Sequence, residues 1–231
     1  MIDSLKIVVI IPAYNEENSI GQVIRDIPDG LADEIIVVNN NSNDQTVVNA
    51  KLAGSTVIEE RIPGYGRACL KGIEYAKQLK PLPDIIVFID ADYSDHPEEM
   101  IQIVNPIIYE AVDLVIGSRA LGLRQKGSMT IPQLFGNWLA TRLLKIFYKV
   151  NYTDLGPFRA IRFDSLIRMN MQDTTYGWTV EMQLKAAKLQ LKIREVPVSY
   201  RKRIGVSKIS GTIKGTFMAG YKIITTIFKY R

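Results

Sequence analysis

The amino-acid sequence predicts an α/β protein with a mostly parallel central sheet flanked by helices. Two observations carry this prediction. Short apolar runs alternate with helical patterns through the first half, and the runs VVII and IIVFI are apolar on both faces. Strands of that kind suit the middle of a parallel sheet that helices cover on both sides. The alternation itself indicates βαβ units and a doubly wound sheet.

Each predicted element follows from its local pattern. Apolar runs predict strands at Lys6–Ile11, Glu34–Val38, Thr56–Glu59, Asp84–Ile89 and Asp113–Ile116. Apolar residues at helical spacing predict helices near Ser19–Asp26, Thr46–Ala53, Gly66–Leu79 and Pro97–Tyr109. The second half is less regular and predicts helices at Pro132–Tyr148, Trp178–Leu189 and Thr212–Lys229, with an extended segment at Lys192–Tyr200.

Length and composition exclude several classes of protein. The chain has 231 residues and is 47% hydrophobic, which suits a packed globular protein. Its single cysteine excludes a disulfide framework and a cysteine-based zinc cluster. No apolar stretch is long enough to predict a membrane-spanning helix, and the N-terminus resembles a first strand more than a signal peptide. We therefore expect one cytoplasmic domain, with halves at 1–117 and 118–210 and an amphipathic C-terminal helix at 211–231.

Charge is distributed unevenly along the chain. Residues 1–113 contain 8 basic and 19 acidic side chains, whereas residues 114–231 contain 21 basic and 5 acidic ones. This asymmetry predicts an anionic partner that is bound mainly by the second half.

Two carboxylates, Asp90 and Asp92, follow the fourth predicted strand and are two residues apart. Because side chains of extended backbone alternate, both can face the same side. Paired carboxylates beside substrate phosphates suit Mg²⁺ or Mn²⁺. The alternative is that these acids cap the helix near Pro97 or are solvated loop residues. Their position after a fully apolar strand favours the metal site, because ligands bind beyond the carboxyl ends of such strands.

Motifs along nearly the whole chain resemble family 2 glycosyltransferases of the GT-A fold, in the branch of dolichyl- and polyprenyl-phosphate sugar synthases. The resemblance is carried by VVIIPAYNEENSI, IIVVNNNSNDQT, GYGRACLKGIEYA, VFIDADYSDHPEEM, GSRALG, FGNWLA, TDLGPFRAIR, YGWTVEMQLKAA and EVPVSYRKRIGVSKISGT. It implies an inverting, metal-dependent transfer of a sugar from a UDP- or GDP-sugar.

The resemblance implies roles for residues of the first half. The residues expected to bind the nucleotide sugar are Pro12, Ala13, Tyr14, Glu16, Asn41, Asp44, Gly66, Arg67, Asp90, Ala91 and Asp92, with Asp90 and Asp92 at the metal. The chain departs from many relatives by having asparagines at 39–41. It also has Ser94-Asp95-His96 where a Gln-His pair is common, and we expect Asp95 to cap the next helix more readily than to bind metal.

The basic second half is expected to contact the acceptor and the leaving diphosphate. Arg203 and Lys208 lie in a segment that resembles the family's mobile loop over the diphosphate, where arginine can donate two hydrogen bonds at once. Arg119 and Arg159 are candidates to hold a lipid phosphate, which already has a nucleophilic oxygen. A hydroxyl acceptor would instead need a general base. Glu181 is then the first candidate and Asp154 the second, although either could be structural.

The leading hypothesis is therefore transfer to a polyprenyl- or dolichyl-phosphate lipid, with a glycolipid, polysaccharide or small-molecule hydroxyl as the alternative acceptor. A non-catalytic nucleotide- or lipid-binding module and a sugar-phosphate nucleotidyltransferase rank lower. Expected partners are the nucleotide sugar, the acceptor, the cytoplasmic membrane face and a homo-oligomer or anchoring protein, but not nucleic acid. The stripe Ile213, Phe217, Tyr221, Ile224 and Phe228 suits either a membrane interface or packing on the core.

Overall fold

A computed structural model of the protein describes residues 5–205 and 213–230. Its strands are β1 Ile7–Ala13, β2 Glu34–Asn39, β3 Thr56–Glu59, β4 Ile85–Phe88, β5 Leu114–Ser118, β6 Arg159–Arg162 and β7 Ile193–Pro197. In this part of the chain they form one seven-stranded sheet in the order β3-β2-β1-β4-β6-β5-β7. Only β6 is antiparallel to its neighbours, β4 and β5. The predicted α/β fold with a mostly parallel sheet is confirmed.

Helices cover both faces of the sheet. They are α1 Ile20–Arg25, α2 Thr46–Leu52, α3 Tyr65–Ala76, α4 Met100–Tyr109, α5 Ile131–Tyr148, α6 Phe163–Met169, α7 Trp178–Lys188 and α8 Ile213–Lys229, with a 3-10 turn at Pro97–Glu99. α5 begins with a capping box, in which Thr130 and Gln133 satisfy each other's backbone N–H groups. The helices predicted from the sequence are all present, with boundaries shifted by a few residues.

The core lies in two layers, one on each side of the sheet. β1 shows the arrangement: Val8 and Ile10 join one buried cluster, whereas Val9 and Ile11 join the other. This alternation is the structural reason that β1 is apolar on both faces, because neither face meets water. A rigid sheet of this kind positions the loops that follow its strands.

Sequence patterns did not predict β6 or α6. β6 has the sequence Arg-Ala-Ile-Arg, and its charged ends do not match the pattern of a buried strand. In the structure Arg159, Ala160 and Ile161 are nevertheless buried. Arg159 can enter the core because backbone carbonyls accept its guanidinium hydrogen bonds. A buried arginine with carbonyl partners cannot be distinguished from a surface arginine by local pattern alone.

α8 packs against α5 and α7 only partly through the predicted stripe: Phe228 of that stripe contacts the Phe147 ring of α5, with 5.3 Å between the ring centroids. Ile227 and Thr226 are buried, and the Tyr148 hydroxyl donates to the Ile227 carbonyl at 2.6 Å. Tyr221 and Phe228 of the predicted stripe are exposed, while the side chains of Ile213 and Phe217 lie outside the described residues. Among the described helices, none has the length and hydropathy needed to cross a bilayer.

Candidate functional site

A cleft of about 530 Å³ opens at the carboxyl ends of β1, β2, β4 and β5. Its volume is in the range of small-molecule sites. Nine of the predicted site residues line it, namely Pro12, Ala13, Tyr14, Glu16, Asp90, Ala91, Asp92, Arg119 and Arg203. The opposite wall, which comes from the second half of the chain, includes Met129, Pro132, Leu155 and Ile223. The cleft therefore joins an acidic rim to an apolar wall.

Asp90 and Asp92 both reach the cleft, as their spacing predicted. Asp90 accepts a hydrogen bond from the Tyr65 hydroxyl at 3.0 Å. Burial, together with the neighbouring charge of Asp92, raises the pKa of Asp90 to about 6. Asp92 is almost fully buried, and the Ser94 N–H donates to its Oδ1 at 2.9 Å. Both carboxylates are thus held in place by residues next to the cleft.

Arg203 forms an ion pair with Asp92 across the cleft. Its Nη2 lies 2.8 Å from Asp92 Oδ2, and the Ile204 N–H donates to the Asp92 carbonyl at 2.9 Å. Burial alone would lower the pKa of Arg203, but the charge of Asp92 raises it. The segment at 201–204 is therefore tied to the paired carboxylates by both side chain and backbone.

Arg119 lines the cleft in a fixed orientation set by Asp154. The two side chains make a bidentate pair, with both N···O distances at 2.7 Å. Tyr200 packs below the guanidinium, whose carbon lies 5.0 Å from the ring centroid. Burial would lower the pKa of Arg119, but the Asp154 charge raises it, so this arginine remains charged. Asp154 is buried and bound to Arg119, which gives it an orienting role and leaves it poorly placed as a base.

Tyr65 and Asn40 are among the residues of the cleft that the sequence analysis missed. Tyr65 binds Asp90, and its position inside a Gly-Tyr-Gly triplet was the available signal. Asn40 lies between two segments: its amide donates to the carbonyls of Glu60 and Ile62, and its Oδ1 accepts from Gly64 N–H at 2.8 Å. Asn40 thus shapes the backbone on which Tyr65 begins α3.

Four residues predicted to bind the nucleotide lie outside the lining of the cleft. Asn41 is exposed on the loop after β2, and Arg67 lines a separate shallow groove with Thr174. Asp44 accepts hydrogen bonds from Thr46 at the start of α2; these outweigh the effect of partial burial and lower its pKa.

Gly66 is the fourth of these residues. Its close backbone contact is with the protein itself, since a Cβ there would lie 2.0 Å from the Asp173 carbonyl oxygen.

Arg159 and Glu181, both predicted for catalysis, are buried and are not among the residues that line the described cleft. Arg159 is fully buried, where its guanidinium donates to the carbonyls of Leu155, Gly156 and Thr179, and it presents no free group to an acceptor. Burial lowers its pKa.

Glu181 is also fully buried. It accepts from Asp173 N–H at 2.7 Å and from the Tyr230 hydroxyl at 2.6 Å, and it pairs with Lys185 at 2.7 Å. These bonds connect α7 to the end of α8 and to the loop before α7. These bonds are the arrangement expected for the structural alternative that the sequence left open.

Asp95 does not cap the helix that follows it. The 3-10 turn begins after His96 without any side-chain cap, and neither oxygen of the Asp95 carboxyl has a hydrogen-bond partner among the described residues. Burial and the charge of Asp90 raise its pKa well above the usual range. Lys208, the remaining predicted contact of the diphosphate, lies outside the described residues.

The residues of the cleft fit a divalent cation held jointly with a substrate. Asp90 and Asp92 offer carboxylate oxygens, the ligands preferred by Mg²⁺ and Mn²⁺. Within residues 5–205 and 213–230, no three acidic, histidine or cysteine side chains come together as a complete metal cage. Mg²⁺ commonly binds one or two carboxylates plus substrate phosphates, and this donor set is of that kind.

Comparison with known proteins gives a consistent result. The family model described as glycosyl transferase family 2 matches residues 8–169. A dolichyl-phosphate hexose transferase of Haloferax volcanii is 32% identical over 207 residues, covering 87% of this chain and 85% of that protein. An undecaprenyl-phosphate mannosyltransferase of Micrococcus luteus is 29% identical over 223 residues, covering 91% and 90%.

Solved structures share the fold. Glucosyl-3-phosphoglycerate synthase from Mycobacterium tuberculosis, crystallised with Mn²⁺, uridine diphosphate and phosphoglyceric acid, superposes with a TM-score of 0.78. The match covers 98% of this chain and 78% of that one at 23% identity. The similarity extends through both halves of the chain, so the two proteins share one architecture from the first strand to the last helix.

Proposed function

Because the chain belongs to glycosyl transferase family 2 and has the GT-A fold, we propose that it transfers a sugar, with inversion, from a nucleoside diphosphate sugar to a lipid that ends in a phosphate. The acceptor phosphate oxygen attacks the anomeric carbon. The bond from that carbon to the diphosphate breaks at the same time, and the diphosphate leaves with the bonding electrons. One displacement therefore inverts the configuration.

The donor would occupy the acidic rim of the cleft. Pro12 and Ala13 end β1 and Tyr14 follows it; these residues would contact the base and ribose, and Asp90 and Asp92 would hold Mg²⁺ or Mn²⁺ on the diphosphate. When bound, the cation offsets negative charge on the leaving group. Arg203 lies close enough to the same point to donate hydrogen bonds to a phosphate.

The acceptor proposal depends on one observation: the cleft contains a cation in a fixed orientation, Arg119, but no described carboxylate outside the donor rim that could act as a general base. Apart from Glu16, Asp90 and Asp92 on the donor rim, no described carboxylate lines the cleft. Both candidate bases, Glu181 and Asp154, are buried and bonded to other groups. A phosphate acceptor needs no base, because its second ionisation has a pKa near 6. It needs a cation to place it, and Arg119 is in position.

Relatives and the apolar wall support a lipid. Two relatives are an undecaprenyl-phosphate mannosyltransferase and a dolichyl-phosphate hexose transferase, whose names specify a polyprenyl-type lipid phosphate. Met129, Pro132, Leu155 and Ile223 give the cleft a surface that suits an isoprenoid chain next to its phosphate. A polysaccharide or small-molecule hydroxyl acceptor would leave this wall without an apolar partner.

The test is a matrix of donors and acceptors assayed with Mg²⁺ or Mn²⁺. UDP- and GDP-sugars are combined with polyprenyl phosphate, with glycolipid and with small hydroxyl acceptors, and the anomeric configuration of the product is determined. We expect transfer to polyprenyl phosphate with inversion, lowered by about 100-fold or more in Asp92→Asn. Asp29→Asn, an exposed acid outside the cleft, is the matched control. Transfer to hydroxyl acceptors alone would overturn the proposal.

A further inference from the structure

One face of α5 presents large apolar side chains to solvent. Ile131 is 82% exposed, Phe135 59%, Trp138 57% and Ile146 62%. These residues lie on one side of the helix, at spacings of three to eight residues. The rings of Phe135 and Trp138 are 5.7 Å apart, so the patch is continuous at its centre. Soluble monomers rarely leave such a patch uncovered unless something binds it.

The charge around this face has one sign. Residues 131–149, which form α5 and its C-terminal cap, contain three basic side chains and no acidic one. Arg142, Lys145 and Lys149 are exposed on the same side of α5, toward its C-terminal end. Two copies of the chain docked through this same face would bring like charges together. An anionic lipid surface instead matches both the apolar and the basic parts of the patch.

The face lies next to the mouth of the cleft. Pro132, Gln133 and Gly136, on the opposite side of the same helix, line the cleft itself, so only the width of one helix, about 10 Å, separates the exposed face from the cleft. Leu123, in the loop that follows β5, is also exposed. A membrane that contacts the exposed face of α5 would therefore lie beside the entrance through which a lipid acceptor reaches the cleft.

We propose that the exposed face of α5, formed by Ile131, Phe135, Trp138, Arg142 and Lys145, docks the protein onto an anionic lipid membrane. The function of this membrane docking rests on the proposed lipid acceptor. Trp138 and Phe135 enter the headgroup region, where aromatic rings are favoured, and the basic residues contact lipid phosphates. The helix lies in the plane of the membrane surface and does not cross it.

The first experiment measures binding to vesicles by sedimentation and by fluorescence. Vesicles contain phosphatidylcholine alone or with roughly one-third phosphatidylglycerol. Trp138 and Trp178 are the two tryptophans, and Trp178 is buried, so quenching by lipids brominated in their chains reports on Trp138. We expect binding and quenching only with the anionic vesicles. A wild-type protein that fails to bind them would overturn the proposal.

Variants test whether this face is responsible. Phe135→Ser combined with Trp138→Ser should weaken vesicle binding by about tenfold or more. Leu52→Ser, which removes an apolar side chain that is 81% exposed on α2, should leave binding unchanged. All these side chains are exposed, so the fold should survive, and circular dichroism confirms this. A double variant that binds vesicles like the wild type contradicts the proposal. The proposal is also contradicted if the wild type forms a dimer and does not bind vesicles, while the double variant is a monomer.

A last comparison separates docking from catalysis. With a short-chain, water-soluble polyprenyl phosphate, the double variant should transfer sugar at the wild-type rate, because neither residue lines the cleft. Loss of turnover on this substrate would assign the two residues to the active site and overturn the docking role. Vesicle binding that depends on Phe135 and Trp138, in a protein that uses no lipid phosphate at all, would support docking and reject the acceptor.

Discussion

Arg203 and a metal ion would compete for the same oxygen of Asp92. Asp92 Oδ1 is bonded to Ser94, and Oδ2 is paired with Arg203 at 2.8 Å. A cation that binds Asp92 without a nucleotide must therefore displace the guanidinium from Oδ2. Replacing Arg203 with methionine removes the competitor and keeps a side chain of similar length. We predict that Arg203→Met binds Mn²⁺ more tightly than the wild type when no nucleotide is present.

The structure sets the size of this effect. A charge-assisted hydrogen bond contributes about 1.5–3 kcal/mol. The Arg203 side chain is 27% exposed, which allows water to screen part of the attraction. We therefore expect a gain of about 1–2 kcal/mol in the free energy of Mn²⁺ binding. That gain corresponds to a dissociation constant that is about five- to thirtyfold lower.

Electron paramagnetic resonance of free Mn²⁺ measures this dissociation constant directly. The matched control is Lys202→Met, which removes one positive charge from the neighbouring exposed residue without touching Asp92. A gain in Arg203→Met that Lys202→Met does not share identifies direct competition. Equal or weaker Mn²⁺ binding in Arg203→Met would refute the reasoning, and equal gains in both variants would reduce it to a general effect of net charge.

Two further predictions concern stability. Glu181→Gln should lower the free energy of unfolding by about 2–3 kcal/mol, because it breaks the buried pair with Lys185. The kcat of the folded protein should change by less than about threefold. Urea denaturation and initial rates measure the two quantities, and a loss of kcat without a loss of stability would restore Glu181 as a base. Gly66→Ala should cost about 2 kcal/mol or more, because its methyl group would collide with the Asp173 carbonyl. Gly136→Ala has open space and should be neutral or stabilising by about 0.5–1 kcal/mol, so equal melting temperatures for the two variants would contradict this account.

The sequence predicts best those parts of the fold in which the spacing of apolar residues clearly indicates a strand or a helix. The strands of the first half are apolar on both faces and alternate with helices, so their parallel order follows from the pattern. β6 escaped prediction because its ends, Arg159 and Arg162, are charged, although carbonyl groups of α7 and α4 accept their hydrogen bonds and allow them to leave water. Such partners exist only in the folded chain.

The same distinction applies to the site. Asp90, Asp92 and Arg119 follow strands, and the carboxyl ends of parallel strands meet at one edge, so their convergence could be predicted. Sequence could not show that Glu181 is enclosed by backbone N–H groups and Lys185, since those contacts join segments that its motif does not contain. Tyr65 was missed for the same reason: its Gly-Tyr-Gly triplet marks the position but does not identify its partner Asp90, which is twenty-five residues away.

The most direct test of the central claim compares polyprenyl phosphate with the polyprenol of the same chain length, using the nucleotide sugar that gives the fastest transfer. The two acceptors differ only in the phosphate, which carries its own nucleophilic oxygen and would bind Arg119. We predict that kcat/KM for the phosphate is higher by about 1,000-fold or more. Transfer to the alcohol at a comparable kcat/KM would contradict the account, because it would require a general base that the described cleft does not offer.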